Sequence, residues 1–290
     1  MPEGSSLINF GDLGKPATTF IEKISEAIGG WCKPGQIERV AKAEAKAAII
    51  KAQGQIEVTD LERRAMARLV GEEARKQENM EAIAEQAIPQ LDDAATPQDM
   101  EDDWVANFFD KCRITSDKEM QALWARVLAG EANAKGTFAK RTVNLLAELD
   151  KSDARLFTSL CGFAWVIRDV VPLIYDDEHS IYNEAGIDFE SLEHLHSIGL
   201  ASFAPLSGYK KTGFSSSRSF RAYYFGQSLI VGFRQPKENE IDIGKVLLTQ
   251  TGKQLARICQ SKPVESFLEY IVDKWSKKGL ILSSSYPRAT

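Results

Sequence analysis

Ser116-Asp-Lys-Glu-Met-Gln-Ala-Leu-Trp-Ala-Arg-Val-Leu-Ala-Gly-Glu131 is the stretch from which the architecture of this chain is read. Ser116 followed by Glu119 has the capping-box pattern that opens a helix. Behind it, Met120, Leu123, Trp124, Val127 and Leu128 recur at helical spacing and line one apolar face. The same grammar continues upstream. Thr96-Pro97 reads as an N-cap with proline at the first helical position. Met100, Trp104, Val105, Phe108, Phe109 and Cys112 then form an apolar face opposite Glu101, Asp102 and Asp103, whose charges suit the positive end of a helix dipole. Downstream, Thr137 caps a third helix carrying Val143, Leu145, Leu146 and Leu149. Residues 96–150 are thus expected to form a compact three-helix unit, with Trp104 and Trp124 in its core.

Residues 1–95 read as amphipathic, Ala-rich charged helices, a helical hairpin or bundle. Pro16 to Trp31 carries Phe20, Ile21, Ile24, Ala27 and Ile28 on one stripe, and Gly29-Gly30 ends it. Gln36 to Ile88 is rich in strong helix formers. Ile37, Val40, Ala41 and Ala48 approach a seam there, spoiled by Glu44. Thr59-Asp60-Leu61-Glu62 repeats the capping-box pattern and starts a helix bearing Leu61, Ala65, Leu69, Met80, Ile83 and Ala87, which Pro89 stops. With alanine supplying so many contacts, these helices need a partner for stability, and another protomer is the expected one.

After Asp150 the texture changes. Ser152 caps a helix running through Phe163, Ala164 and Trp165, and a second helix starts at Asp188 with Phe189, Leu192, Leu195 and Ile198. Strand-like runs follow at Leu200–Leu206, Phe220–Phe225 and Leu229–Phe233, with Ser207–Ser219 expected as a mobile loop. Val246–Thr249 then leads into a helix at Thr251, and Pro263–Lys278 supplies the last helix. Helix, helix, then strands is a winged-helix-like order, so 151–290 is expected to be a winged-helix-like α+β domain. The fold class is therefore mainly α with a smaller α+β part.

Composition narrows the function. The chain has 290 residues, 43% hydrophobic and 27% charged, with a formal net charge of −5. Those values exclude collagen-like, disulfide-scaffold, membrane-spanning and secreted classes, and predict a soluble cytoplasmic protein. The charge is segregated. Gln77 to Asp110 holds acids but no Lys or Arg, Asp92, Asp93, Asp99, Glu101, Asp102 and Asp103 among them, and just upstream lie Arg63, Arg64, Arg68, Arg75 and Lys76. Such a chain can pair head to tail with a copy of itself, which makes these residues the candidate interaction set.

The chemistry of reactions is sparse. Cys32, Cys112, Cys161 and Cys259 form no CxxC clip and read as small buried hydrophobes. His179, His194 and His196 lack the spacing of a metal pair. There is no phosphate loop, GxGxxG, GxSxG or HExxH, so no catalytic residue, metal or cofactor is expected. Gly11-Asp-Leu-Gly-Lys-Pro16 has the wrong spacing for a phosphate loop. A DNA-reading winged helix needs a basic recognition face, and Asp188–Ser197 has none. Lys210, Lys211, Arg218 and Arg221 form the one basic loop for nucleic acid.

Several phrases resemble a bacterial family catalogued as domain of unknown function 2806. They are Gly11-Asp-Leu-Gly-Lys-Pro-Ala-Thr-Thr-Phe-Ile-Glu-Lys-Ile-Ser25, Arg39-Val-Ala-Lys-Ala-Glu44, Asp102-Asp-Trp-Val-Ala-Asn-Phe-Phe-Asp110, the Ser116–Glu131 stretch, Lys140-Arg-Thr-Val-Asn-Leu-Leu146 and Gly244-Lys-Val-Leu-Leu-Thr-Gln-Thr-Gly252. Ala134-Lys-Gly-Thr-Phe138 departs from the Pro-Gly-Ser-like turn expected there. More distantly, Met120–Gly130 and the Leu-Thr-x-x-Gly phrase look like abortive-infection alpha proteins, which implies antiviral defence. The leading expectation is a non-catalytic, homo-oligomeric interaction or sensor protein with a phage or host protein partner. A nucleic-acid-binding regulator using the basic loop is the alternative, followed by a carboxylate-dependent enzyme.

Overall fold

The computed structural model describes residues 14–29, 59–214, 219–234 and 239–284. The part of the helix-forming Gln36–Ile88 stretch that precedes Thr59 lies outside the described residues, as do Cys32 and Arg218. The chain divides into two units, Met1–Ala147 and Glu148–Thr290. The described residues are mainly helical, with small antiparallel sheets confined to the second unit.

The first unit contains α1 (Lys15–Ala27), α2 (Asp60–Ala87), α3 (Asp102–Cys112), α4 (Lys118–Asn133) and α5 (Lys140–Glu148), the last reaching the unit boundary. The C-terminal part of α2 packs along α4 and buries Ile83, Ala84 and Ala87, while α1 lays Phe20 and Ile24 against α3 and the turn before it. Trp104, Phe108 and Trp124 form the aromatic centre: Trp104 stacks on Phe108 with centroids 5.3 Å apart, and Phe108 meets Trp124 edge-on at 5.2 Å. The Trp104 indole N–H donates to the Phe138 carbonyl at 2.7 Å, so even the polar atom of this ring is satisfied inside the core.

Helix starts differ from the expected ones in an informative way. Pro97 opens a separate 3-10 turn, Pro97–Asp99, and Met100 is extended, so α3 begins only at Asp102. Asp117, not Ser116, caps α4 by accepting from the Glu119 and Met120 N–H groups. Thr137 caps nothing; its hydroxyl donates to Ala134 O at 2.6 Å within a turn. Glu131, 3% exposed, holds that turn by accepting from the Gly136 and Phe138 N–H groups at 2.7 and 2.8 Å. Two charge-assisted bonds to backbone replace the rigidity that a proline would supply.

The second unit runs α6 (Lys151–Cys161), β1 (Ala164–Ile167), β2 (Asp169–Pro172), α7 (Ser180–Asn183), α8 (Phe189–Ser197), β3 (Ala201–Phe203), β4 (Tyr209–Lys211), β5 (Ser219–Tyr224), β6 (Gln227–Gly232), β7 (Ile241–Gly244), β8 (Val246–Leu248), α9 (Gln250–Ala256), α10 (Phe267–Lys277) and β9 (Ile281–Ser284). Strands β2-β1-β5-β6-β9 form an antiparallel sheet, with Trp165 opposite Val171 and Phe220 opposite Val231, while β3–β8 and β4–β7 are separate antiparallel pairs. Asp150, not Ser152, caps α6 through a reciprocal pair with Asp153. That helix stops at Cys161, so Ala164 and Trp165 are strand rather than helix. The Ser207–Ser219 stretch is likewise not a plain loop: it contains β4 and the fully buried Phe214.

The Leu248-Thr-x-x-Gly252 phrase has a clear physical job. The Thr249 hydroxyl donates to Gly199 O at 2.7 Å and its oxygen accepts from Gly252 N–H at 3.0 Å, which caps α9 and ties it to the turn before β3. Gly252 then lies with its backbone against the Leu200 carbonyl, where no Cβ fits.

Candidate functional site

The Thr59 capping box forms as its sequence predicts: Thr59 Oγ1 accepts from Glu62 N–H at 3.4 Å, and the Glu62 carboxylate accepts from Thr59 N–H at 2.8 Å, which holds that carboxyl below its ordinary range. From this anchor to Gly71 every residue of α2 is exposed. Leu61, Met66, Leu69 and Val70 are 70%, 54%, 51% and 39% exposed. Leu61 and Leu69 lie two turns apart along the helix, and Met66 and Val70 are i,i+4 neighbours. Single exposed apolar side chains are ordinary on a protein surface; here four stand within ten residues of one helix, spread over about half of its circumference.

All five expected basic residues stand on this helix. Arg63 pairs with Asp60 at 2.8 Å, Arg68 with Glu72 at 2.7 Å and Lys76 with Glu73 at 2.5 Å, while Arg64 Nε donates to Asp60 O at 3.2 Å. Arg75 is exposed. These i,i+3 and i,i+4 pairs support a helix that has little packing to lean on along this half.

The acids fall on the connector after α2 and on the first turn of α3. Asp92, Asp93 and Asp99 are exposed on the connector. That connector is held to the end of α4, because the Asn133 side chain accepts from Asp92 N–H at 2.9 Å and donates to Gln90 O at 3.0 Å. Glu101 pairs with Lys135 at 3.2 Å, Asp103 with Lys140 at 3.8 Å, and Asp102 with Lys23. Exposed pairs of this kind contribute little energy, and these acids stay at the surface.

The basic residues near 210–221 are dispersed. Lys210, on β4, pairs with Glu240. Lys211 donates to Ile167 O at 2.6 Å, and burial lowers its pKa. Arg221 sits on β5, in a different sheet, with its side chain exposed. Arg168, which the sequence reading passed over, adopts φ 61° at the β1–β2 turn; its guanidinium lies 4.2 Å from the Phe214 ring centroid and donates to Gly213 O at 3.0 Å.

His194 Nε2 lies 2.7 Å from Asp153 Oδ1, linking α8 to α6, and His196 Nδ1 accepts from Phe203 N–H at 3.3 Å. Among the described residues no group of three His, Cys, Asp or Glu could hold a metal ion, and no described helix is long and apolar enough to cross a membrane. A mostly apolar cavity of about 310 Å³ opens between β6, β9 and α10, lined by Trp165, Gln227, Ser228, Leu229, Leu268, Val272 and Leu282. Cys112 and Cys161 are buried and Cys259 is half-buried, with its Sγ 3.5 Å from Ala256 O.

A profile described as a protein of unknown function, DUF2806, matches residues 63–272, from the exposed half of α2 to the middle of α10. Comparison with curated proteins finds no match, and comparison with solved structures finds none.

Proposed function

The chain belongs to the DUF2806 family, and we propose that it works as a self-associating interaction protein whose N-terminal half of α2 is covered by a second copy. One observation carries this reading: Leu61, Met66, Leu69 and Val70 are displayed together on a capped, fully helical segment whose continuation is well packed. Residues 60–75 extend about 24 Å, long enough to present a continuous seam to a partner. The second copy is favoured over an unrelated partner by charge. The helix that carries these side chains is lined by Arg63, Arg64, Arg68, Arg75 and Lys76, and the same chain offers Asp92, Asp93, Asp99, Glu101, Asp102 and Asp103. Opposed patches steer association and fix register even where they add little affinity.

In this reading the second unit engages a further partner. Helices α7 and α8 followed by the β3–β8 pair support a winged-helix-like arrangement. Its would-be reading helix carries Glu190 and Glu193, which suits a protein surface better than a phosphate backbone. The resemblance of Met120–Gly130 and Leu248–Gly252 to abortive-infection alpha proteins supports a place in bacterial anti-phage defence.

Light scattering coupled to size exclusion, read at two absorbance wavelengths with the full chain at micromolar concentration, tests the proposal. A defined multimer free of nucleic acid is the expected result. A strict monomer refutes it, and a species that carries nucleic acid and loses it steeply with salt favours the regulator alternative.

A further inference from the structure

We propose that the cavity between β6, β9 and α10 binds a small, neutral, mainly apolar molecule whose carbonyl oxygen accepts a hydrogen bond from the Trp165 indole N–H. Trp165 lines that cavity and is fully buried, yet its Nε1 has no hydrogen-bond partner among the described residues. A buried indole N–H ordinarily finds an acceptor. Two other indoles of this chain do: Trp104 donates to Phe138 O at 2.7 Å and Trp275 to Tyr175 Oη at 2.9 Å. An orphaned donor carries its desolvation cost with no bond in return, and a ligand acceptor removes that cost.

The surroundings of the ring leave the cavity as the side from which an acceptor can come. Val166 pairs with Tyr223 across β1 and β5, which sets Trp165 and Tyr224 on the inner face of the sheet. The Trp165 ring stacks on Tyr224, with centroids 5.1 Å apart and planes at 20°, and meets Trp275 at 5.1 Å and 60°. Neither neighbour serves the indole. The Tyr224 hydroxyl donates to Gly162 O at 2.9 Å and accepts from Val264 N–H at 2.8 Å, so it is engaged on both counts. Trp275 offers an N–H, which is a donor like that of Trp165 and is already bound to Tyr175.

The lining decides the chemistry of the occupant. A volume of about 310 Å³ lies at the small end of the range for ligand pockets, so a single ring or a short chain is the fitting size. Leu229, Leu268, Val272 and Leu282 supply apolar walls, and no charged side chain lines the cavity. A carboxylate or phosphate would exchange its hydration for one neutral N–H, which excludes an anion. An indole N–H donates and cannot accept, so the ligand must present an acceptor; a ketone or lactone carbonyl set in a hydrocarbon frame satisfies both requirements. Gln227 is exposed and Trp165 is buried, so the cavity runs from the surface at the start of β6 to the indole at its floor.

The test is a titration of the full chain, isotope-labelled at its indole nitrogens, with cyclohexanone and separately with methylenecyclohexane, in which a methylene group replaces the carbonyl oxygen. The five tryptophans give five indole N–H resonances. That of Trp165 is identified by its contact with the Tyr224 ring and by its loss in Trp165→Phe. Cyclohexanone is expected to move this resonance downfield in a saturable way. Methylenecyclohexane is expected to bind about tenfold more weakly, the difference made by one buried hydrogen bond. Val272→Phe fills the cavity and is expected to keep the Trp165 resonance while abolishing its response. The titration of the parent chain stands whether or not either variant folds. A Trp165 resonance that stays still up to the solubility limit of cyclohexanone overturns the proposal, as does movement confined to another indole or equal affinity for the two probes.

Discussion

Replacing Gly252 by alanine tests the packing that seats α9. A Cβ at this position would fall closer to Leu200 O than the 3.0 Å that Cβ atoms keep, with the Leu200 carbonyl carbon at 3.1 Å and Leu248 Cβ at 3.5 Å. The obstacle is backbone, so no rotamer change relieves it. Overpacking of this kind costs about 1–3 kcal/mol, and an unyielding neighbour puts Gly252 near the upper end. Alanine regains about 1 kcal/mol of helix propensity, which leaves a net loss of about 2 kcal/mol. For a unit of this size that corresponds to a fall in Tm of about 4–8 °C. Gly71 is the control, because it is also helical but exposed, and a Cβ there meets nothing within 4 Å. Gly71→Ala is expected to leave stability unchanged or raise it by up to about 1 kcal/mol. Scanning calorimetry of both variants beside the parent provides the comparison. A Gly252→Ala protein that melts at or above the parent temperature, or below which Gly71→Ala falls, refutes the reasoning.

Glu131→Gln removes one of two charge-assisted bonds to a buried turn, and urea denaturation is expected to show a loss of about 2 kcal/mol. Thr249→Val is expected to lose about 1–2 kcal/mol as its cap disappears, while Thr249→Ser retains most of it, as a thermal melt would show. Cys259 is expected to react with iodoacetamide at a rate that is half-maximal at pH about 6, whereas an ordinary thiol sits near 9.0. Since its folded pKa is depressed, the unfolded chain binds more protons between those values. The contribution of Cys259 to stability is therefore full above pH 9.0 and declines as pH falls through about 6, which denaturation midpoints taken across that range would reveal.

The helical part was legible because its signals are local. Met120 to Leu128 and Trp104 to Cys112 carry their burial in their spacing, and these faces form the core of the first unit. Helix starts were legible only to within a few residues, since Ser116 and Asp117 are both good caps and only geometry chooses Asp117. The second unit was harder for a different reason. Phe163, Ala164 and Trp165 continue an apolar run from α6, yet the helix ends at Gly162, where Lys262 and Val264, far away in sequence, pack against the backbone. β4 and β9 are short and irregular in composition, and their pairing is decided by partners rather than by their own residues. The exposed leucines of α2 showed the opposite failing: their spacing is that of a buried face, and only the fold shows that they stand at the surface.

The proposed association is tested most directly by sedimentation velocity on the parent chain and on Leu61→Glu/Leu69→Glu, two substitutions on fully exposed turns of α2. The parent is expected to sediment as a multimer of its 32.2 kDa chain. The variant is expected to sediment as a monomer with unchanged helical circular dichroism. A variant that retains the parent's mass, or a parent that is itself monomeric at micromolar concentration, contradicts the account.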